Sequence, residues 1–146
     1  MGLFDGFKTK AQPTFNTQKS IMTIVIAAIK ADGNVSDEEV GRLRSMCARS
    51  PIFASNAKEE DDAVIDFALN VSDQLGADAI KKAAESLKPE LRETAFAFAT
   101  EMVLADSMVG EKEEAFISQL AVSLGVSEEV ARAIILTTMI RGRGEQ

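Results

Sequence analysis

The sequence predicts an all-α fold, a single compact bundle of about seven helices, on three observations. There is no Trp or Tyr and there are only 3 Pro, while the chain is rich in Ala, Leu, Ile and Val, which favours helix over sheet. Apolar residues recur at i, i+3, i+4 and i+7 in segment after segment, each bounded by a cap or a breaker. A short pattern also occurs twice, 74 residues apart: Ala31-Asp32-Gly33-Asn34-Val35-Ser36-Asp37-Glu38-Glu39 and Ala105-Asp106-Ser107-Met108-Val109-Gly110-Glu111-Lys112-Glu113. In both copies Ala-Asp ends an apolar run, Val follows three residues later and Glu seven later. That reads as one helix–loop–helix present twice, with an internal pseudo-twofold repeat. With 146 residues, 46% hydrophobic and 27% charged, one soluble globular domain is expected over residues 17–146, preceded by an arm over 1–16.

Taken in order, the arm Gly2-Leu3-Phe4-Asp5-Gly6-Phe7-Lys8 sets Leu3, Phe4 and Phe7 on one side of a helical turn. It either docks on the protein's own surface or makes a weak membrane-surface or partner contact with Lys8 and Lys10 beside it. Pro13 and the polar stretch 14–17 separate it from the body. Ser20 to Lys30 is apolar almost all round, so a central buried helix is expected, ended by Asp32-Gly33. Ser36-Asp37-Glu38-Glu39 is a capping box, followed by Val40, Leu43 and Cys47 at helical spacing and stopped at Ser50-Pro51. Residues 51–57 read as a loop.

Lys58 to Gln74 is the third helix, with Val64, Phe67, Ala68 and Val71 inward and Glu59, Glu60, Asp61 and Asp62 in a solvated first turn. After Gly76, Ala77 to Leu87 carries Ile80, Ala83, Ala84 and Leu87 on one face. Pro89 suits the first turn of a fifth helix that buries Leu91, Ala95, Phe98, Met102 and Ala105. The sixth has the stripe Ile117, Leu120, Ala121 and Leu124 and stops at Gly125. Ser127-Glu128-Glu129 caps a seventh with Val130, Ile134 and Ile135 inward, and the tail from Arg141 to Gly144 is expected to fray.

Composition narrows the function. The net charge of −7 opposes nucleic acid as a partner and admits a cation or a basic protein surface. No His is present, so no Ser-His-Asp or Cys-His pair exists, and neither a phosphate-binding Gly loop nor a dinucleotide turn appears. The reading is therefore not an enzyme. The single Cys47 sits on an apolar face and reads as a core residue; one Cys allows no internal disulfide and points to a reducing, cytoplasmic setting. No apolar run reaches the length of a membrane span, and no secretory signal is seen.

The repeated acidic loop remains. Against a calcium loop, the first copy matches only the second half, with Asp32, Gly33, Ser36 and Glu39 in register and Ala28 and Lys30 where the first ligands belong. It is not an EF-hand. One such loop offers too few oxygens, whereas two facing loops with water supply enough. Glu39 and Glu113 already have a structural role as cap residues. Asp32 and Asp106 sit at helix C-terminal ends, where negative charge opposes the dipole, and a bound cation offsets that cost. The expected site is thus a divalent metal, Ca, Mg, Mn or Zn, held by Asp32, Glu39, Asp106 and Glu113.

The double pattern, the Phe-containing arm and Ser86-Leu87-Lys88-Pro89-Glu90-Leu91-Arg92 ahead of an apolar helix together resemble the TerB-like tellurite-resistance family of bacteria, over roughly residues 15–140. The resemblance implies a helical fold of about seven helices with pseudo-twofold symmetry. It also implies a non-enzymatic role in tellurite and chemical-stress resistance, with metal bound at the acidic loops. Partners would be other tellurite-resistance proteins of TerC-like and TerD-like type, at the inner face of the membrane. Ser107 and Gly110 replace the Gly and Ser of the first copy, so a shared site or one dominated by the first loop is expected. The alternatives are a metal-free interaction scaffold with an acidic docking face and a membrane-peripheral adaptor using the arm.

Overall fold

Nine residues of one helix, Ser20 to Ile26 with Ala28 and Ile29, are buried, and the other helices are arranged around it. This helix, α1 (Thr17–Lys30), is apolar all round, and such a helix is stable only when enclosed. Each of its Ile side chains contributes about 1.5–3 kcal/mol by leaving water. The computed structural model describes residues 13–31, 33–104 and 110–144. Within these, six helices follow α1: α2 (Asp37–Arg49), α3 (Lys58–Leu75), α4 (Asp78–Glu85), α5 (Pro89–Val103), α6 (Glu111–Leu124) and α7 (Glu128–Arg141). There is no strand among the described residues. The α1 helix packs on α3, α5 and α4; α5 in turn carries α2, α6 and α7.

The start of α1 lies three residues before the expected Ser20. Asn16 caps it, its side-chain oxygen accepting from Lys19 N at 2.8 Å. Phe15 meets Phe67 of α3 edge-on, with ring centroids 5.6 Å apart. The expected arm over residues 1–16 falls mostly on residues 1–12, outside the described residues; Phe15 and Asn16 belong to the packed body. The Gln18 amide donates to Ile52 O at 2.9 Å and accepts from Asn56 Nδ2 at 2.8 Å. This ties the first turn of α1 to residues 51–57. Within that segment Phe53 is fully buried, an anchor that a bare loop reading misses.

Pro89 stands at the start of α5 as expected. Its buried face is Ala95, Phe96, Ala99, Thr100 and Met102, so Phe96 fills the core and the expected Phe98 is only half-buried. The two Phe are two residues apart and cannot share a helix face; packing against α1 selects the one flanked by Ala95 and Ala99. Ala105, also expected inward, lies outside the described residues. Arg92 Nε donates to Ala84 O at 2.9 Å and to Leu87 O at 3.0 Å, closing the carbonyls at the end of α4. The stripe on α6 is the expected one, ended by Gly125 at φ 71°. The α7 helix departs furthest from expectation: Val130, Ile134 and Ile135 are half-buried and only Ala131 is buried.

The 74-residue offset carries the buried Leu43, Met46 and Cys47 of α2 onto the buried Ile117, Leu120 and Ala121 of α6. Packing does not follow the same symmetry, because α2 and α6 both make their main contacts with α5. The matching register alone does not establish a pseudo-twofold.

Candidate functional site

The first joint runs from Lys30 to α2. Lys30 pairs with Asp73 of α3, and Gly33 N donates back to Lys30 O at 3.0 Å with Gly33 at φ 140°. Ser36 then enters α2 with extended backbone, φ −81° and ψ 164°. Its hydroxyl oxygen accepts from Glu39 N at 3.1 Å, and Glu39 Oε1 accepts from Ser36 N at 2.9 Å. This is the expected capping box. Arg42, one turn on, brings Nη2 to 3.8 Å from Glu39 Oε2.

The second joint delivers the chain into α6 at Gly110, with φ −82° and ψ 165°, the same backbone within a degree. Glu113 Oε2 accepts from Gly110 N at 3.3 Å, and Gly110 has no side chain to return the bond. A Cβ at Gly110 would lie 2.9 Å from Glu113 Oε1, so glycine leaves room for the carboxylate to fold over the loop end. No basic side chain pairs with Glu113 among the described residues. A third box, not seen in the sequence because its cap residue is Ala57, closes the start of α3: Glu60 Oε1 accepts from Ala57 N at 2.8 Å. The geometry at the two acidic joints is therefore that of an ordinary helix start, and function has to come from what else stands there.

Of the four expected ligands, Glu39 and Glu113 are half-buried caps, each using one oxygen for the loop backbone. Asp32 and Asp106 lie outside the described residues. No group of three or more His, Cys, Asp or Glu comes together as a metal cage among the described residues. A cavity of about 270 Å³ is lined by Arg42, Arg49, Glu101, Leu104 and Arg141, and so lies between the middle and end of α2, the end of α5 and the end of α7. Arg49 Nη2 donates to Glu101 Oε2 at 2.9 Å. Arg42 and Arg49 of α2 and Arg141 of α7 were not grouped in the sequence, because they come from two separate helices.

Cys47 is fully buried, and burial pushes its thiol up from 9.0 to about 12, with Asp61 adding to the effect. It is a core residue with no thiolate at neutral pH, as its apolar face implied. No described helix is long and apolar enough to cross a membrane.

No curated protein and no solved structure matches the chain. The profile of the family described as tellurite resistance protein TerB matches residues 18–135, from the first turn of α1 into the middle of α7. The match takes in both acidic joints, the box that closes α3 and the Arg92 clamp. The chain belongs to the TerB family of tellurite resistance proteins.

Proposed function

We propose that the chain is a non-enzymatic binding module of tellurite-resistance systems, whose two acidic joints hold a divalent cation. The observation that carries this reading is the state of the two cap glutamates. Each is anchored over its loop by a backbone N–H through one oxygen, and Glu113 keeps Oε1 without a donor among the described residues. In the proposed site Asp32 and Asp106 of the repeated motif supply the two further carboxylates. An all-oxygen donor set with no His suits Ca²⁺, Mg²⁺ or Mn²⁺ better than Zn²⁺. The cation neutralises carboxylates that otherwise repel, and it ties the loop after α1 to the loop after α5. Other tellurite-resistance proteins then read the ordered surface, at the cytoplasmic side of the membrane.

A metal-free scaffold is the second reading. Arg42 beside Glu39 favours it at the first joint, since a guanidinium there takes up part of the charge a cation would. The arginines at the adjoining cavity act in the same direction. Calorimetric titration of the full chain with each of the four ions separates the two. Micromolar binding that disappears in Asp32→Asn with Asp106→Asn supports the cation site; no heat up to millimolar ion leaves the scaffold.

A further inference from the structure

We propose that the outer face of α7, with the flank of α6 beside it, docks a second copy of this chain in a two-fold, antiparallel arrangement. A helix apolar over most of its circumference belongs inside a protein, yet α7 buries only Ala131. Its outer side exposes Leu136 by 54%, Met139 by 45% and Ile140 by 48%, and Val122 of α6 by 73%. Val122, Leu136 and Met139 border one groove of about 710 Å³ between the two helices, with Ala121, Val126 and Ala131 on its walls. Small residues lining a groove with large apolar residues at its edge form a surface into which a helix can sink. Leu136, Met139 and Ile140 lie beyond the matched residues 18–135.

Charge selects the occupant. Glu129, Arg132, Leu136 and Ile140 recur every three or four residues and so share one stripe of α7, and Arg143 follows just past the helix end at Arg141. A two-fold axis at Leu136 sets Leu136 on Leu136 of the copy. It lays the Arg132 stem over Ile140, and it brings Glu129 to Arg143 at both ends. The helix dipoles then oppose favourably. A parallel pairing would instead put Glu129 on Glu129 and Arg143 on Arg143. The stripe is thus complementary to itself in one direction only, which is the property an isologous interface requires. One helix pair with its flanks buries an area near the lower bound of roughly 1,200 Å² for stable complexes, so the dimer is weak and concentration-dependent.

Sedimentation velocity of the full chain, from low micromolar to near-millimolar concentration, reads this directly. The expected result is a reversible monomer–dimer equilibrium. Leu136→Glu weakens it by at least about a hundredfold, because the two-fold axis sets its carboxylate against the same carboxylate of the copy. Glu129→Arg or Arg143→Glu alone weakens it by roughly five- to tenfold, and the two together restore it. These positions are exposed, so melting temperatures of the variants stay near the wild type. A monomer at every concentration overturns the proposal, as does a dimer indifferent to Leu136→Glu. It is also overturned by a monomer whose α7 amide resonances move in Phe4→Glu with Phe7→Glu, which assigns the face to the chain's own arm.

Discussion

At Ser36 the chain enters α2 with a hydroxyl that caps the helix, a glutamate that returns the bond, and an arginine 3.8 Å from that glutamate. At Gly110 it enters α6 through the same backbone angles, with no side chain on the cap residue and a glutamate that no basic group pairs with among the described residues. The start of α3 serves as a control: Ala57 and Glu60 reproduce half of the same geometry with no Ala-Asp loop before it. Three helix starts therefore show one solution to the problem of unpaired N–H groups. What separates them is charge. The first joint is internally neutralised in part, the third has Asp62 paired with Arg44 and Asp61 accepting from Asn56, and the second leaves Glu113 Oε1 without a donor among the described residues. The proposed cation site therefore rests on the surroundings of each cap, which differ, and not on its backbone, which does not.

The comparison breaks most visibly in the core beneath the joints. Leu43 and Ile117 occupy equivalent, fully buried positions on α2 and α6. Truncation of either to Ala is expected to cost about 2–5 kcal/mol in chemical denaturation. A cost below about 1 kcal/mol at only one of them would show that the two helices are not equally embedded. The next contrast is Cys47 against Ala121. Burial raises the folded-state pKa of Cys47 from 9.0 to about 12, so between those values the folded chain keeps a proton that the unfolded chain releases. Stability from this group is complete below pH 9.0 and is lost as pH rises toward 12. Relative to Cys47→Ala, wild-type unfolding free energy should fall by about 1.4 kcal/mol per pH unit within that window. A flat difference between the two proteins would contradict a buried, protonated thiol.

The caps give the smallest effects. Ser36→Ala removes the oxygen that accepts from Glu39 N, and a loss of about 1 kcal/mol is expected. Gly110→Ala pushes against the far end of Glu113, which can swing away, so about half that loss is expected. Equal losses would mean that Gly110 does nothing for the position of Glu113.

Much of this architecture was legible because local signals agree with packing. Ser36, Pro89, Gly125 and Ser127 mark helix ends by their own stereochemistry, and the structure places ends there. What was not legible depends on distant residues. Phe53 in the turn after α2 is buried by neighbours the sequence does not name, and Phe96 wins over Phe98 because of what α1 presents to α5. Arg92 falls within the motif that carried the family resemblance, but its bonds to Ala84 O and Leu87 O needed the fold to bring donor and carbonyls together. Periodicity turned Val130, Ile134 and Ile135 toward the core, yet it could not show that α7 would be left half outside it. The same division holds at the candidate site. The cap roles of Glu39 and Glu113 were readable from spacing, whereas Arg42 beside Glu39 and the arginine-lined cavity near it were not.

The most direct measurement is a ¹⁵N amide-shift titration of the full chain with Ca²⁺, Mg²⁺ and Mn²⁺, the paramagnetic Mn²⁺ read as line broadening. A cation held between the joints predicts saturable changes confined to residues 31–39 and 105–113, weakened by Asp32→Asn or Asp106→Asn and abolished by both. Glu113→Gln should weaken binding more than Glu39→Gln, whose carboxylate already has Arg42 as a neighbour. Spectra unchanged up to millimolar ion, or changes spread over the acidic surface and untouched by the paired Asp→Asn substitution, would contradict it.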